Sequence, residues 1–213
     1  MKSFLIIGMG KFGHHMCENL AELDCELMVV DELEEKVEDV LDIVISAKVG
    51  DCTRKDVLKS FGVDNFDACF VCIQDNFQSS LEITYNLAEL GAKHVISLAS
   101  TDIHAKFLLR NGANHVIYPE RDMAKRVAVS ISNDSIFDYI QLSSRYSIME
   151  VTPLKEWIGK NVVEANVRAK YHLNVLAVKD PQGEVIMPGL QYVFNEKDHV
   201  IVMGQTEDLN RYF

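Results

Sequence analysis

Six residues constrain this chain more than any others: GMGKFG at 8–13, directly after the apolar run SFLII. Glycines at 8, 10 and 13 spell Gly-x-Gly-x-x-Gly. In isolation the triplet is weak, because glycines punctuate many loops. Its surroundings make it specific. A strand-like run precedes it, and Phe12, Met16, Leu20 and Leu23 follow at helical spacing. Strand, glycine turn and helix in that order describe a dinucleotide-binding unit. Gly8 permits the tight turn, Gly10 lets the backbone approach a pyrophosphate, and Gly13 lets helix and strand pack closely. Met9, Lys11 and Phe12 complete the loop and the helix start, where backbone N–H groups and the helix dipole attract anions. Asp31 closes the next apolar run, CELMVVD. An acid roughly 20 residues beyond the loop accepts hydrogen bonds from the ribose hydroxyls and repels a 2′-phosphate. Glu32 follows it in the same candidate site.

The rest of the first 118 residues repeats the grammar. IVISAKVGD, DACFVCIQ, HVISLAS and NHVIYP read as strands. ELEEKVEDVL, TRKDVLKSFG, a segment from about 76 to 90 and TDIHAKFLLRNG read as helices between them. Near-continuous apolar strands separated by helices imply a parallel sheet covered on both faces. The expected fold is α/β, a Rossmann-type doubly wound parallel sheet. Ligands in such sheets bind at the carboxyl ends of the strands. Asp51 and Cys52 end the third strand, Asn76 follows the fourth beside Asp75, Leu98 to Ser100 end the fifth, and Glu120 follows the sixth. Asp51 reads either as an adenine-side residue or as the cap of the following helix. Glu120 reads either as a cation ligand or as an ordinary first-turn helix acid.

The pattern changes at Pro119. RDMAKRVAVSISNDSIFDYIQL reads as one or two helices without a strand partner. Beyond Tyr146, SIMEVTP reads as a strand, NVVEANVRAKYH as a helix and LNVLAVKD with EVIMPG as a hairpin. HVIVMGQ reads as a last strand and TEDLNRYF as a last helix. The expected organisation is a nucleotide-binding domain over 1–118, crossover or linker helices over 119–140 and a small α+β subdomain over 141–213.

Charge and cysteines exclude several functions. The net charge is −11, of which residues 1–140 carry −10 and residues 141–213 carry −1. An acidic chain without a basic stripe does not suit nucleic acid. The five cysteines lie at 17, 25, 52, 69 and 72, an odd number that forms no disulfide framework. Cys69 and Cys72 make a C-x-x-C inside a strand-like run, where residues three apart face opposite sides. No apolar run approaches the roughly 18 residues that span a bilayer. MKSFLII runs straight into the glycine loop and does not read as a signal peptide, so a cytoplasmic location is expected.

A dehydrogenase needs a substrate pocket and a proton donor beside its nicotinamide. Here only a small lobe follows the nucleotide unit. The seven histidines are scattered, and none stands in an evident catalytic pairing. His14 and His15 are adjacent and stand about 100° apart on a helix; they read as surface or packing residues. The nucleotide is expected to regulate rather than react.

These residues resemble the RCK family, the regulators of potassium conductance. GMGKFG with Asp31, GDCT at 50–53 and YPERDMAKRVA at 118–128 are similar to the RCK N-terminal lobe. NVRAKY at 166–171 and the closing HVIVMGQTEDLNRYF are similar to its C-terminal lobe. The likeness covers essentially the whole chain and is nearest the Ktr type, with the Trk type next. It implies a homodimer that assembles into an octameric ring on a membrane potassium channel subunit, at the inner face of the cell membrane. It implies gating by exchange of ATP, ADP, NAD or NADH, with Glu120 helping to hold Mg²⁺ or Ca²⁺ at the phosphates. The segment after Pro119 would swap onto the partner through Met123, Val127, Val129, Ile131, Ile136, Phe137 and Ile140; an intrachain linker helix is the plainer alternative. Two positions depart from the family pattern: Lys11 stands where arginine is common, and Leu98 where a Lys or Arg is common. Arg168, Tyr171 and Asn174 match positions that bind cyclic di-AMP in some relatives, or else belong to an ordinary amphipathic helix. The other functional readings are a small NAD-dependent oxidoreductase and a stand-alone nucleotide or second-messenger sensor.

Overall fold

Six short apolar strands align in one parallel sheet: β1 (Ser3–Ile7), β2 (Glu26–Asp31), β3 (Ser46–Val49), β4 (Ala68–Val71), β5 (Val95–Leu98) and β6 (His115–Ile117). Their spatial order is β3-β2-β1-β4-β5-β6, and every neighbouring pair is parallel. The computed structural model describes all residues, Met1–Phe213, in two compact units, Met1–Glu120 and Arg121–Phe213. In the first unit the strands are joined by α1 (Lys11–Ala21), α2 (Glu34–Glu38), α3 (Lys55–Ser60), α4 (Phe77–Glu89) and α5 (Asp102–Arg110). The chain starts in mid-sheet, runs outward to β3, and returns to place β4 on the other side of β1. The reversal between β1 and β4 opens a crevice at the carboxyl ends of these strands.

Alternate residues of the central strands feed two separate cores. Leu5, Ile7, Val30, Cys69 and Val71 pack with Ile83 and Leu87 of α4 on one face. Ile6, Leu27, Val29 and Phe70 pack with Cys17 of α1 and Val37 of α2 on the other. Leu5 and Ile6 are both fully buried, each stabilising the sheet by about 1.5–3 kcal/mol. Cys69 and Cys72 fall into opposite cores, as their spacing requires. Burial pushes the thiols of Cys52, Cys69 and Cys72 up to about 12, and all five cysteines are free. Helix α2 is shorter than its apolar spacing suggests. Asp39 and Asp42 would sit at the negative end of its dipole, and the helix ends at Glu38.

The second unit departs further from the sequence reading. Helix α6 (Pro119–Ile131) begins at a proline, whose missing N–H costs nothing at a first helical position. The expected second helix is instead a strand, β7 (Ile136–Gln141). It pairs antiparallel with β8 (Tyr146–Val151), with an irregularity between Ile136 and Asp138. Ile136 belongs to the core and Val129 packs against it, whereas Met123, Val127, Ile131, Phe137 and Ile140 are exposed. NVVEANVRAKYH is also not one helix. It divides into α7 (Val162–Ala165) and α8 (Val167–Tyr171) at Asn166, which is left-handed at φ 48°. Asparagine tolerates that conformation better than most residues. Asn161 and Glu164 form a capping box that fixes the start of α7. The sheet is completed by β9 (Asn174–Lys179), β10 (Val185–Ile186) and β11 (His199–Gln205), in the order β10-β9-β11-β8-β7, and α9 (Thr206–Tyr212) follows. Trp157 and Phe194 are the largest fully buried side chains of the chain and sit in this core. No helix is long and apolar enough to cross a membrane.

Candidate functional site

The glycine loop is shaped by steric limits that differ from glycine to glycine. Gly8 has φ +93°, and its N–H donates to the Val30 carbonyl at 2.8 Å, tying the end of β1 to β2. A Cβ on Gly13 would stand 2.1 Å from the Gly8 carbonyl oxygen. No side chain fits there, so α1 can pack against the loop only with glycine. Gly10 is different. A Cβ built on it meets nothing within 4 Å. The protein alone does not require this glycine; an object filling that open space would. Gly10 is also the N-cap of α1, and no side chain caps the helix. An anion placed there would meet uncapped N–H groups and the positive end of the dipole.

A cleft of about 420 Å³ opens beside the loop. Gly8, Gly10, Asp31, Glu32, Asp51, Cys52 and Asn76 line it, so seven of the residues singled out from the sequence converge. Asp31 is 7% exposed. Its Oδ2 accepts the Met9 N–H at 2.7 Å and its Oδ1 accepts the Leu33 N–H at 3.0 Å. Met9 thus shapes the site through its backbone, while its side chain lies in the core. A carboxylate offers about four lone-pair sites, so Asp31 retains acceptor capacity towards the cleft. Asp51 does not cap the following helix. Its Oδ1 accepts from the Thr53 N–H at 2.9 Å and from the Thr53 hydroxyl at 2.6 Å. These bonds hold its carboxyl below the usual carboxylate range. Asn76 caps α4 by accepting the Ser79 N–H at 3.0 Å while it lines the cleft.

Lys11, Phe12, Gly13 and Glu120 do not line the cleft. Glu120 is linked to it indirectly. The Gln74 side-chain amide, itself part of the lining, donates to both Glu120 oxygens at 3.1 and 3.2 Å. Leu98 is buried in the core, 1% exposed, with no role at the cleft. Sequence reading missed Gln74, Ser79 and above all Lys36. Lys36 lines the cleft with its Nζ 3.9 Å from Asp31 Oδ1. It is the one cationic side chain in the lining, against Asp31, Glu32, Asp51 and Asp75. Its position one turn into α2 was the available signal.

Histidines thought to be unpaired have partners distant in sequence. His104 and Ser80 are fully buried, with Nε2 and Oγ 3.0 Å apart. Burial pulls the His104 imidazole below its usual value. Without solvent access this pair joins α4 to α5 and does not act on a ligand. His199 Nδ1 lies 2.7 Å from Glu150 Oε1, and its ring stacks on Phe137 at 3.6 Å. In the smaller unit Arg168 and Asn174 are exposed, but Tyr171 is 3% exposed. Its hydroxyl donates to Glu156 at 2.6 Å, which makes it a core residue of that lobe.

The chain matches the TrkA-N domain model over residues 4–119 and the TrkA-C domain model over residues 147–213. It is 37% identical over 211 residues to Ktr system potassium uptake protein C of Bacillus subtilis, covering 99% of this chain and 96% of that protein. It is 34% identical to Ktr system potassium uptake protein A of the same organism, over 99% of this chain and 95% of the relative. Among solved structures, the GsuK channel bound to NAD superposes with a TM-score of 0.71 at 18% identity. That match covers 98% of this chain but 38% of the channel, so the chain spans well under half of that protein. The GsuK RCK domain superposes with a TM-score of 0.69 at 18% identity, over 98% of this chain and 46% of that chain. With the glycine loop, the acid-ended second strand and both domain models in one order, the chain belongs to the RCK family, in the branch of the Ktr system potassium uptake proteins.

Proposed function

We propose that this chain is a nucleotide-sensing gating subunit of a potassium uptake channel or transporter, and that its ligand is an adenosine nucleotide held in the cleft at the carboxyl ends of β1, β2 and β4. The observation that carries the reading is Asp31. It is buried, pinned by two backbone amides, and keeps acceptor capacity at the lip of a glycine loop whose Gly10 faces open space. The ribose would bind Asp31, the phosphates would lie over Gly10 at the start of α1, and the base would lie towards Asp51 and Cys52. Glu32 beside Asp31 disfavours a 2′-phosphate, so NAD is preferred to NADP.

The lining holds one lysine and four acids. A di- or triphosphate in that field needs its charge reduced. A divalent cation brought in with the phosphates, near Glu120, would do so, and nucleotide affinity should rise with Mg²⁺ or Ca²⁺. The carboxylates of the lining that carry side-chain bonds are engaged with the protein itself: Asp31 with the Met9 and Leu33 amides and Asp51 with Thr53. That favours a regulator over an oxidoreductase. Gating then follows from differential affinity: a nucleotide shifts the assembly only as far as it binds one shape better than the other. The working assembly is a ring of dimers, an octamer as in the Ktr-type pattern, docked on a membrane-embedded potassium-conducting partner at the cytoplasmic face. The exposed apolar residues of α6 support pairing with a second copy. Arg168 and Asn174 keep the exposure that cyclic di-AMP binding would need; Tyr171 contributes through packing alone.

Calorimetric titration with ATP, ADP, NAD, NADH and cyclic di-AMP, with and without magnesium, tests the reading, with light scattering on the same sample. Saturable binding of an adenosine nucleotide by a multimer larger than a dimer supports it. Turnover of NADH with a carbonyl substrate would replace it with the oxidoreductase reading.

A further inference from the structure

On the exposed side of α1, three side chains converge that take no part in the nucleotide cleft. His14 Nδ1 lies 3.5 Å from Glu18 Oε1, and His15 Nδ1 lies 3.1 Å from Glu18 Oε2. The ligating atoms of all three residues lie within 4.8 Å of one another. The two histidines are adjacent in sequence and leave the helix in different directions. Glu18 nonetheless stands four residues from one and three from the other, the two spacings that share a helix face. Its carboxylate gathers both rings, and the imidazole planes cross at 90° with centroids 6.3 Å apart. Perpendicular rings can aim both Nδ1 lone pairs at one point.

We propose that His14, His15 and Glu18 form a transition-metal site on α1, of the class that holds Zn²⁺, Ni²⁺ or Co²⁺ through two imidazole nitrogens and one carboxylate. In a tetrahedral zinc site with bonds of about 2.0–2.2 Å, neighbouring ligand atoms stand roughly 3.3 Å apart. The histidine nitrogens approach different oxygens of the Glu18 carboxylate, at 3.5 and 3.1 Å, and one ligand atom from each residue lies within 4.8 Å of the others, so rotation of the rings and the carboxylate draws the three donors onto one ion. Holding the ion through Nδ1 fixes each ring as the tautomer that carries its proton on Nε2. Three protein ligands leave the fourth position to water. Two imidazoles make the site selective for these metals over Mg²⁺ and Ca²⁺, which prefer all-oxygen sites. Lys11, one turn back, and the positive end of the helix oppose a cation. Glu22, one turn on, and the chain's net charge of −11 favour it. The inner-sphere bonds decide the balance. The site does not depend on the nucleotide reading.

The experiment uses the full chain without an affinity tag and without nucleotide. Zinc is titrated by calorimetry and cobalt by its visible spectrum, in wild type, His15→Ala, His14→Ala/His15→Ala and Glu18→Gln. The expected result is one zinc per chain, undisturbed by millimolar magnesium. A tetrahedral-type cobalt band should appear in wild type and be lost in the double variant, and zinc affinity should fall at least tenfold in each variant. His15 is largely exposed, so His15→Ala retains the fold and isolates the ligand. Zinc affinity unchanged in the double variant, or magnesium displacing zinc, overturns the proposal.

Discussion

The backbone N–H of Met9 donates to Asp31 Oδ2 at 2.7 Å across 22 residues. This one bond joins the glycine loop to the end of β2 and fixes the acid relative to the helix start. Asp31→Ala leaves the Met9 and Leu33 amides without their partner. Removing the acceptor of buried donors costs about 1–3 kcal/mol. Urea unfolding should show a loss of that size, and amide exchange at Met9 should quicken.

Gly10 and Gly13 separate folding from binding. Gly13→Ala would drive a methyl group into the Gly8 carbonyl, 2.1 Å away. Such overpacking costs about 1–3 kcal/mol or more, and the melting temperature should drop clearly. Gly10→Ala meets no atom within 4 Å, so stability should change by less than about 1 kcal/mol, the scale of an N-cap substitution. Its nucleotide affinity should fall at least tenfold, because the methyl occupies the space assigned to the phosphates. Equal effects of the two variants on folding would refute the distinction.

His104 should make stability depend on pH. Burial lowers its folded value below the ordinary 6.5. The unfolded chain therefore gains the proton first. The contribution is fully present above about pH 6.5 and is lost as pH falls towards the depressed folded value. Wild type should lose melting temperature between pH 7.5 and 5.5 more steeply than His104→Gln. Ser80→Ala should cost about 1–3 kcal/mol at pH 7.5 by orphaning Nε2.

The contact between Gln74 and Glu120 assigns a role to a residue outside the cleft lining. Glu120→Gln should leave stability within about 0.5 kcal/mol, as for an exposed position. It should also reduce the gain in nucleotide affinity that magnesium confers. Titrations at fixed ATP with and without magnesium check this, and an unchanged magnesium effect would remove Glu120 from the site.

Much of the first unit was legible because its signals are local. The glycine spacing, the acid closing β2 and the alternation of apolar runs with helical spacing each lie within one short window. The second unit was harder for reasons visible in particular residues. In β7, Ile136 and Phe137 are both apolar and an irregularity follows, so the period-two pattern fails; only pairing with β8 makes the strand. At Asn166 the apolar spacing continues while the backbone turns left-handed, which side-chain periodicity does not record. The site residues missed were the ones defined by tertiary contact. Lys36 meets Asp31 through the turn of α2, and Gln74 meets Glu120 across 46 residues. The His14, His15 and Glu18 cluster was read as diverging side chains because backbone direction was considered without the carboxylate that draws them together.

The central claim is that the cleft binds an adenosine nucleotide through Asp31. The most direct test is calorimetric titration of ATP, ADP and NAD into wild type and Asp31→Ala, with circular dichroism confirming that both remain folded. The account predicts saturable binding to wild type and a loss of at least tenfold in the variant. Folded wild type that binds none of the three, or a variant that binds as well as wild type, would contradict it.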